Sequence, residues 1–406
     1  MTADPVEVAE TDLPIDLDAI YLDHAATAPL RPVAAAVWVR VHSRVGNPSS
    51  AHAHGRACAD ILDDARKRTA VFLGAHPDEI VFTSGGTEAI NHAVLGTFAE
   101  RHNTGHLVTT TIEHSAVLEA AEVVRSRGVD VTRVPVTPSG IVDIDAIAQA
   151  IRPDTRLISL MHANNETGMV QPVRAAYELA TSCGALLHVD AVQTAGKLPL
   201  DDVPAHLMSI SGHKFGAPRG IGALRVRHGI RISSLLVGGG QEAGRRAGTQ
   251  NVAGAAAMAS AAEEAIAEHL SGDHNRRCAA LAQRLLEGVQ TIAGVHVNGY
   301  GPRLPQTVSL RIDGVRGDAV ADALDLVGIS VGTGSACHAG ASTPSHVLTA
   351  MGLDDDQARS TIRISFGSDL GEEAADRTVA AVAMVVHRLR TVAGGLGANP
   401  RTGAHA

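Results

Sequence analysis

The chain is short of lysine. Among 34 basic residues in 406, only Lys67, Lys197 and Lys214 are lysines, so any chemistry needing a side-chain primary amine has three candidates. Cysteine is scarce too, at four: Cys58, Cys183, Cys278 and Cys337. Four thiols are too few to staple a chain of this length, and no two stand in a CxxC or similar metal-ligating spacing. Cys58, Cys183 and Cys278 lie in or beside helix-like patterns and read as buried, inert thiols. No apolar run approaches the roughly 20 residues that span a bilayer. The opening MTADPVEVAETDLPIDLDA holds acids but no Lys or Arg. That excludes the basic segment of a signal or transit peptide and makes a cytoplasmic protein the expectation. A formal net charge of −9 is not that of a general nucleic-acid binder, so neither membrane nor direct nucleic-acid contact is expected. A P-loop GxxxxGK with Ser or Thr is missing, as is a strand-GxGxxG-helix followed by an acid.

What is present alternates. IVFT (80–83), HLVTTT (106–111), LISLMH (157–162), ALLHVD (185–190), LMSIS (207–211) and IGALRV (221–226) are short apolar runs. Helical patterns such as SAVLEAAEVVRSR (115–127) and PVRAAYELATSC (172–183) separate them. Such alternation predicts an α/β domain with a mainly parallel sheet and helices on both faces. Ligands bind such sheets at the carboxyl ends of the strands. Beyond the Gly-rich VGGGQEAGRRAGTQN (237–251) come two long helical patterns, about 252–270 and 274–293. Strand-like VHVNG, TVSLRI and STIRISFG follow, predicting a smaller α+β domain.

The predicted strands run into polar residues. IVFT leads to SGGTEAINHAVL, where Gly86 and Thr87 at a strand-to-helix turn offer free N–H groups to a phosphate. A tight turn capped by Thr87 reads the same residues equally well. His114 follows HLVTTT, and a structural or solvated histidine is the plainer reading there. Asn164 and Asn165 follow LISLMH, where asparagine is also a common turn former. ALLHVD ends in Asp190, a carboxylate that needs a cationic or N–H partner if buried, or serves as a helix cap. LMSIS ends in GHKFGAPRG. Lys67, in ARKR, reads as a solvated charge and Lys197, before LPL, as a surface turn. Lys214 alone follows a buried strand into a small-residue turn, where an amine of lowered pKa for a Schiff base would be placed. A phosphate seat, a ring-stacking candidate, an acid and an amine on one rim are what pyridoxal 5'-phosphate needs.

These segments resemble those of a known family. SGGTEAINHAV, IEHSAV, HANNETG, HVDAVQTAGK, SGHKFGAPRGIGAL, GGGQEAGRRAGTQN, GSACHAG and IRISFG occur in the order found in cysteine desulfurases, which are fold type I, pyridoxal-phosphate-dependent, class V aminotransferase-like enzymes. YLDHAATAPL and GNPSSAHAHGR are similar to that family's opening segments, and the resemblance runs from about residue 20 to 390.

The resemblance implies roles. Lys214 becomes the Schiff-base lysine and later the base at the substrate Cα. His114 stacks on the cofactor ring, Asp190 pairs with the ring nitrogen and Gln193 approaches the phenolic oxygen. Gly86, Thr87, Ser211 and His213 bind the phosphate, with Thr249 reaching the phosphate of the neighbouring subunit in a homodimer. Asn165 and Arg363 bind the substrate carboxylate, and Cys337 is the nucleophile. L-Cysteine would leave as L-alanine, with its sulfur carried as a persulfide to an acceptor protein, for iron–sulfur cluster assembly or another sulfur-transfer pathway. The small residues around Cys337 suit a segment that swings between cofactor and surface. His338 or His346 is available to activate the thiol. The Cys337–His338 pair is also similar to selenocysteine lyases, and an aminotransferase is a further alternative on the same scaffold. The domain expectation is an acidic extension (1–19), a large cofactor-binding domain (20–265), a small domain (266–392) carrying a mobile cysteine loop at about 332–345, and a disordered tail (393–406).

Overall fold

The computed structural model describes residues 19–333 and 343–397. Cys337 and His338, most of the acidic extension and the end of the chain lie outside the described residues. The strands in chain order are β1 (Ile20–Leu22), β2 (Ile80–Thr83), β3 (His106–Thr110), β4 (Asp130–Val134), β5 (Thr155–Met161) and β6 (Leu186–Asp190). β7 (Leu207–Ser211), β8 (Gly222–Val226), β9 (Val295–Val297), β10 (Thr307–Ile312), β11 (Ile329–Thr333) and β12 (Thr361–Ser365) follow.

Seven strands form one sheet in the order β2-β8-β7-β6-β5-β3-β4. Its central strands are buried along nearly their whole length, which is why they read as continuous apolar runs: every residue of β7 and β3 is buried. Pairing is parallel from β7 to β4, whereas β8 is antiparallel to both β7 and β2. β2 therefore points the same way as β7, and the carboxyl ends of β2, β3, β5, β6 and β7 share one rim. Inside the sheet, His188 of β6 is fully buried and bridges the hydroxyls of Ser159 (2.9 Å) and Ser209 (2.9 Å) on the neighbouring strands. Both polar atoms of the ring are thereby satisfied.

The second sheet has the order β1-β11-β12-β10-β9 and is mostly antiparallel. β1 pairs in parallel with β11, so Ile20–Leu22 joins this sheet and not the larger one that the 20–265 span implied. The expected boundary at 265/266 also falls inside one helix, Val252–Ser271. That helix has a run of fully buried alanines, Ala255, Ala257, Ala259, Ala261 and Ala265. Small side chains let it lie close against the helices Pro32–His42 and Ala53–Phe72. The helix Glu372–Gly397 runs past residue 393, where the tail was expected to begin. No helix among the described residues is long and apolar enough to cross a membrane.

Candidate active site

A cavity of about 450 Å³ opens on the shared rim of the seven-stranded sheet. Gly86, Thr87, His114, Asn165, Asp190, Gln193, Ser211, His213 and Lys214 all line it. Each reaches it from the end of a strand. β2 runs directly into the helix Gly86–Ala99, whose N-cap is Gly85 and has no side chain to cap with. Uncapped N–H groups at a helix N-terminus are a seat for an anion. Gly86 must stay small there, since a Cβ would come within 2.8 Å of Val192 Cγ2 and 3.3 Å of Ser211 Cβ. Asp190 is the last residue of β6, and Ser211 the last of β7.

The chain places the Lys214 amine by its own backbone. Nζ donates to the carbonyls of Ala25 (2.6 Å) and Ala26 (2.9 Å). Gln193 Nε2 donates to the same Ala25 carbonyl at 3.0 Å, and Gln193 Oε1 accepts from Lys197 Nζ at 3.2 Å. Lys197 is thus not the surface turn that the sequence suggested. It is 7% exposed, and burial, with the charges of Lys214 and Arg363 adding, pulls its amine down to about 7. Lys67 is exposed, as expected. Cys58 and Cys278 are buried, but Cys183 is exposed at the end of its helix, against the expectation of a buried thiol.

Burial pushes the Asp190 carboxyl up to about 6, against the opposing Val192 N–H, which Oδ1 accepts at 3.0 Å, and the charge of Lys214. His114 caps the helix Ser115–Ser126, its Nδ1 accepting from the Ala116 N–H at 3.1 Å. Burial first, then Lys214 and His346, pull His114 down to about 4. Its ring is neutral at physiological pH, with the proton on Nε2. His213, bonded to Thr27 Oγ1 at 3.1 Å, is held down to about 4 by burial and then Lys214.

Arg363 of β12 stands behind the wall. Its Nη1 donates to the Asn165 carbonyl at 2.8 Å and its Nη2 pairs with Asp23 at 2.6 Å. The Nε is buried with no hydrogen-bond partner among the described residues. Thr249 does not line the cavity: it is exposed, in the Gly-rich segment between the two sheets. Asn164 is the turn former, fully buried, its Oδ1 accepting the N–H groups of Glu166 (2.8 Å) and Thr167 (3.0 Å).

The sequence reading missed two buried acids beside these residues. Burial pushes Glu113 up to about 8, against the hydroxyl of Thr110 and the N–H of Met161. Burial likewise raises Glu166 to about 7, with the Ser345 hydroxyl and then Arg363 opposing. Their signal was in plain view: each acid lies inside a quoted motif, IEHSAV or HANNETG. The described residues before 334 and after 342 pack against the groups just described. On the first side, Gly332 of β11 faces Arg363 of β12. On the second, the Ser345 hydroxyl donates to Glu166, and His346 Nε2 meets the Glu113 carbonyl at 2.9 Å.

The aminotransferase class-V family model matches residues 20–377. The chain is 40% identical over 378 residues to a cysteine desulfurase IscS of Dictyoglomus turgidum, covering 92% of this chain and 96% of the relative. An IscS-like cysteine desulfurase of Mycobacterium tuberculosis is 41% identical over 386 residues, covering 92% of this chain and 98% of the relative. Among solved structures, a NifS-like protein superposes with a TM-score of 0.85 at 34% identity, over 91% of this chain and all of that one. SspA in complex with cysteine superposes at 0.75, also at 34% identity, over 86% of this chain and 99% of that one. The chain therefore belongs to the aminotransferase class-V family, and within it to the cysteine desulfurases.

Proposed function

We propose that the rim cavity holds pyridoxal 5'-phosphate and L-cysteine, and that Cys337 receives the sulfur. The observation that carries this reading is the convergence of Lys214 and buried Asp190 on one cavity with an uncapped helix N-terminus. The residues fit the group. A buried carboxylate pushed to about 6 gains what it needs from a protonated ring nitrogen, and the Gly86 cradle, with Ser211 and His213, suits a phosphate. When bound, the cofactor supplies an electron sink for the substrate Cα.

The chain supplies the rest. Lys214 would hold the cofactor through its amine and then take the proton from the substrate Cα. Neutral His114, which lines the cavity, would pack beside the bound group. Asn165 and Arg363 receive the substrate carboxylate, the guanidinium as a fork. The Cys337 thiolate attacks the substrate sulfur; the C–S bond of L-cysteine breaks, an S–S bond forms, and alanine leaves. Cys337 lies four residues beyond Thr333, so the chain lets it reach roughly 14 Å from the end of β11. An ordinary thiol is only a few per cent thiolate at neutral pH, so proximity to the cavity also serves to activate it. The persulfide then passes to an acceptor protein, as in iron–sulfur assembly. Exposed Thr249 completes the phosphate seat of a second copy in a homodimer.

The test is alanine release from L-cysteine and L-selenocysteine, side by side, under reductant. Release from both, with L-cysteine turnover abolished in Cys337→Ala, is expected. Release from L-selenocysteine alone would make the enzyme a lyase, and a keto acid that keeps the sulfur, with the amino group transferred to an acceptor, would make it an aminotransferase.

A further inference from the structure

We propose that His76, Asp78 and His228 form a binding site for a divalent transition-metal ion of the zinc class, away from the cavity on the sheet rim. The three come from two segments. His76 and Asp78 precede β2, and His228 follows β8, its antiparallel neighbour, with Ile80 opposite Arg225. Both rings aim a nitrogen at the same carboxylate oxygen: Asp78 Oδ1 lies 2.5 Å from His76 Nδ1 and 2.8 Å from His228 Nε2. The rings stand 5.4 Å apart, edge to face at 64°. Among the described residues this is the single group of three such side chains whose ligand atoms all lie within 4.8 Å of one another.

A second observation concerns what holds them. Glu79, with a side chain 8% exposed, accepts the His228 N–H at Oε1 (2.8 Å) and the His76 N–H at Oε2 (3.2 Å). One buried carboxylate thus fixes the backbone of both histidines, and Pro77 stiffens the link between His76 and Asp78. With both backbones held, the two rings hang from fixed positions and need only turn about their side-chain bonds to share an ion. Two imidazoles and one carboxylate suit zinc and its neighbours, whereas magnesium and calcium prefer oxygen alone. All three side chains are more than half exposed, so a fourth position is open to water. Asp78 and His228 also border the rim of a separate concavity of about 940 Å³. An ion here would clip the entry of β2 to the exit of β8.

The experiment is equilibrium dialysis of the holoenzyme against Zn²⁺ with a weak competing chelator, counting zinc per chain in wild type, His228→Ala and Asp78→Asn. The cysteines are common to all three and cancel in the difference. Wild type should hold one more zinc per chain than either variant, and its melting temperature should rise with Zn²⁺ but not with Mg²⁺. Both variants should turn over L-cysteine normally and melt like metal-free wild type. Equal zinc content in all three, or a melting temperature in wild type that Zn²⁺ does not raise, overturns the proposal. An equal response to Mg²⁺ overturns the assigned metal class.

Discussion

The two sheets divide the labour of the site unequally. The seven-stranded sheet presents its groups from strand ends buried on every side, each anchored to nearby backbone: Asp190 by Val192, His114 by Ala116. The five-stranded sheet contributes Arg363, which reaches Asn165 on the cavity wall, and the strand that leads towards residue 337. On the proposed reading, the groups that hold the cofactor thus sit on the buried sheet, and those that would meet the substrate and hand on its sulfur come from the other.

Substitutions on the two sheets should therefore fail in different ways. Lys214→Ala removes the only lysine amine that lines the cavity among the described residues, and alanine release should fall by about a thousandfold or more, with the fold intact by circular dichroism. Loss of only a few-fold would move the chemistry off the large sheet. Arg363→Lys keeps the charge but loses the fork, which is worth about 1.5–3 kcal/mol for hydrogen bonds to charged groups. It should raise KM for L-cysteine roughly 10- to 100-fold with a smaller change in kcat; an effect on kcat alone would place Arg363 with the fixed groups.

The smallest effects concern two buried titrating groups and have opposite signs. Lys197 is pulled from 10.5 to about 7. The unfolded chain then holds more protons between those values, and this group makes stability climb with pH across that window. Glu113 is pushed from 4.5 to about 8. The folded chain holds the extra proton, so its contribution is full below 4.5 and is lost as pH rises through 8. Compared with wild type in urea titrations at pH 5, 7 and 9, Lys197→Met should show a shallower rise between pH 7 and 9. Glu113→Gln should lie closest to wild type at pH 5 and become progressively more stable than it as pH rises. Slopes matching wild type in both variants would mean that neither group titrates as its burial implies.

The large sheet was legible because strands covered on both faces are written in uninterrupted apolar residues; β2 and β7, like β10 of the smaller sheet, begin and end where the sequence placed them. β4 was missed because it is an edge strand, DVTRV, with only Val134 buried. β1 was invisible as a strand because its three residues pair with a segment more than 300 positions away. The same holds for the site. Lys214 and Asp190 could be read because each is a rare or charged residue closing an apolar run. Lys197 was misread because its burial comes from tertiary packing and from Gln193, which no local pattern reveals. Arg363 was found through the family resemblance, but its pairing with Asp23 is a contact between opposite ends of the chain and leaves no local trace.

The first turn of the described chain has a consequence for how the protein is made. Ala25 donates its N–H to Ser365 Oγ at 2.9 Å, 340 positions later, and Asp23 meets Arg363 across the same interval. The carbonyls of Ala25 and Ala26 are also the acceptors that hold Lys214. During synthesis the chain emerges from its N-terminal end, and the large sheet has all its strands once β8 is out. Residues 23–26 must then wait for β12, more than 130 residues later, before their other partners exist. A nascent chain can therefore carry Lys214, Asp190 and the Gly86 helix start while Arg363 and Ser365 are still unmade, and the contacts of residues 23–26 are complete only once the last strand is released.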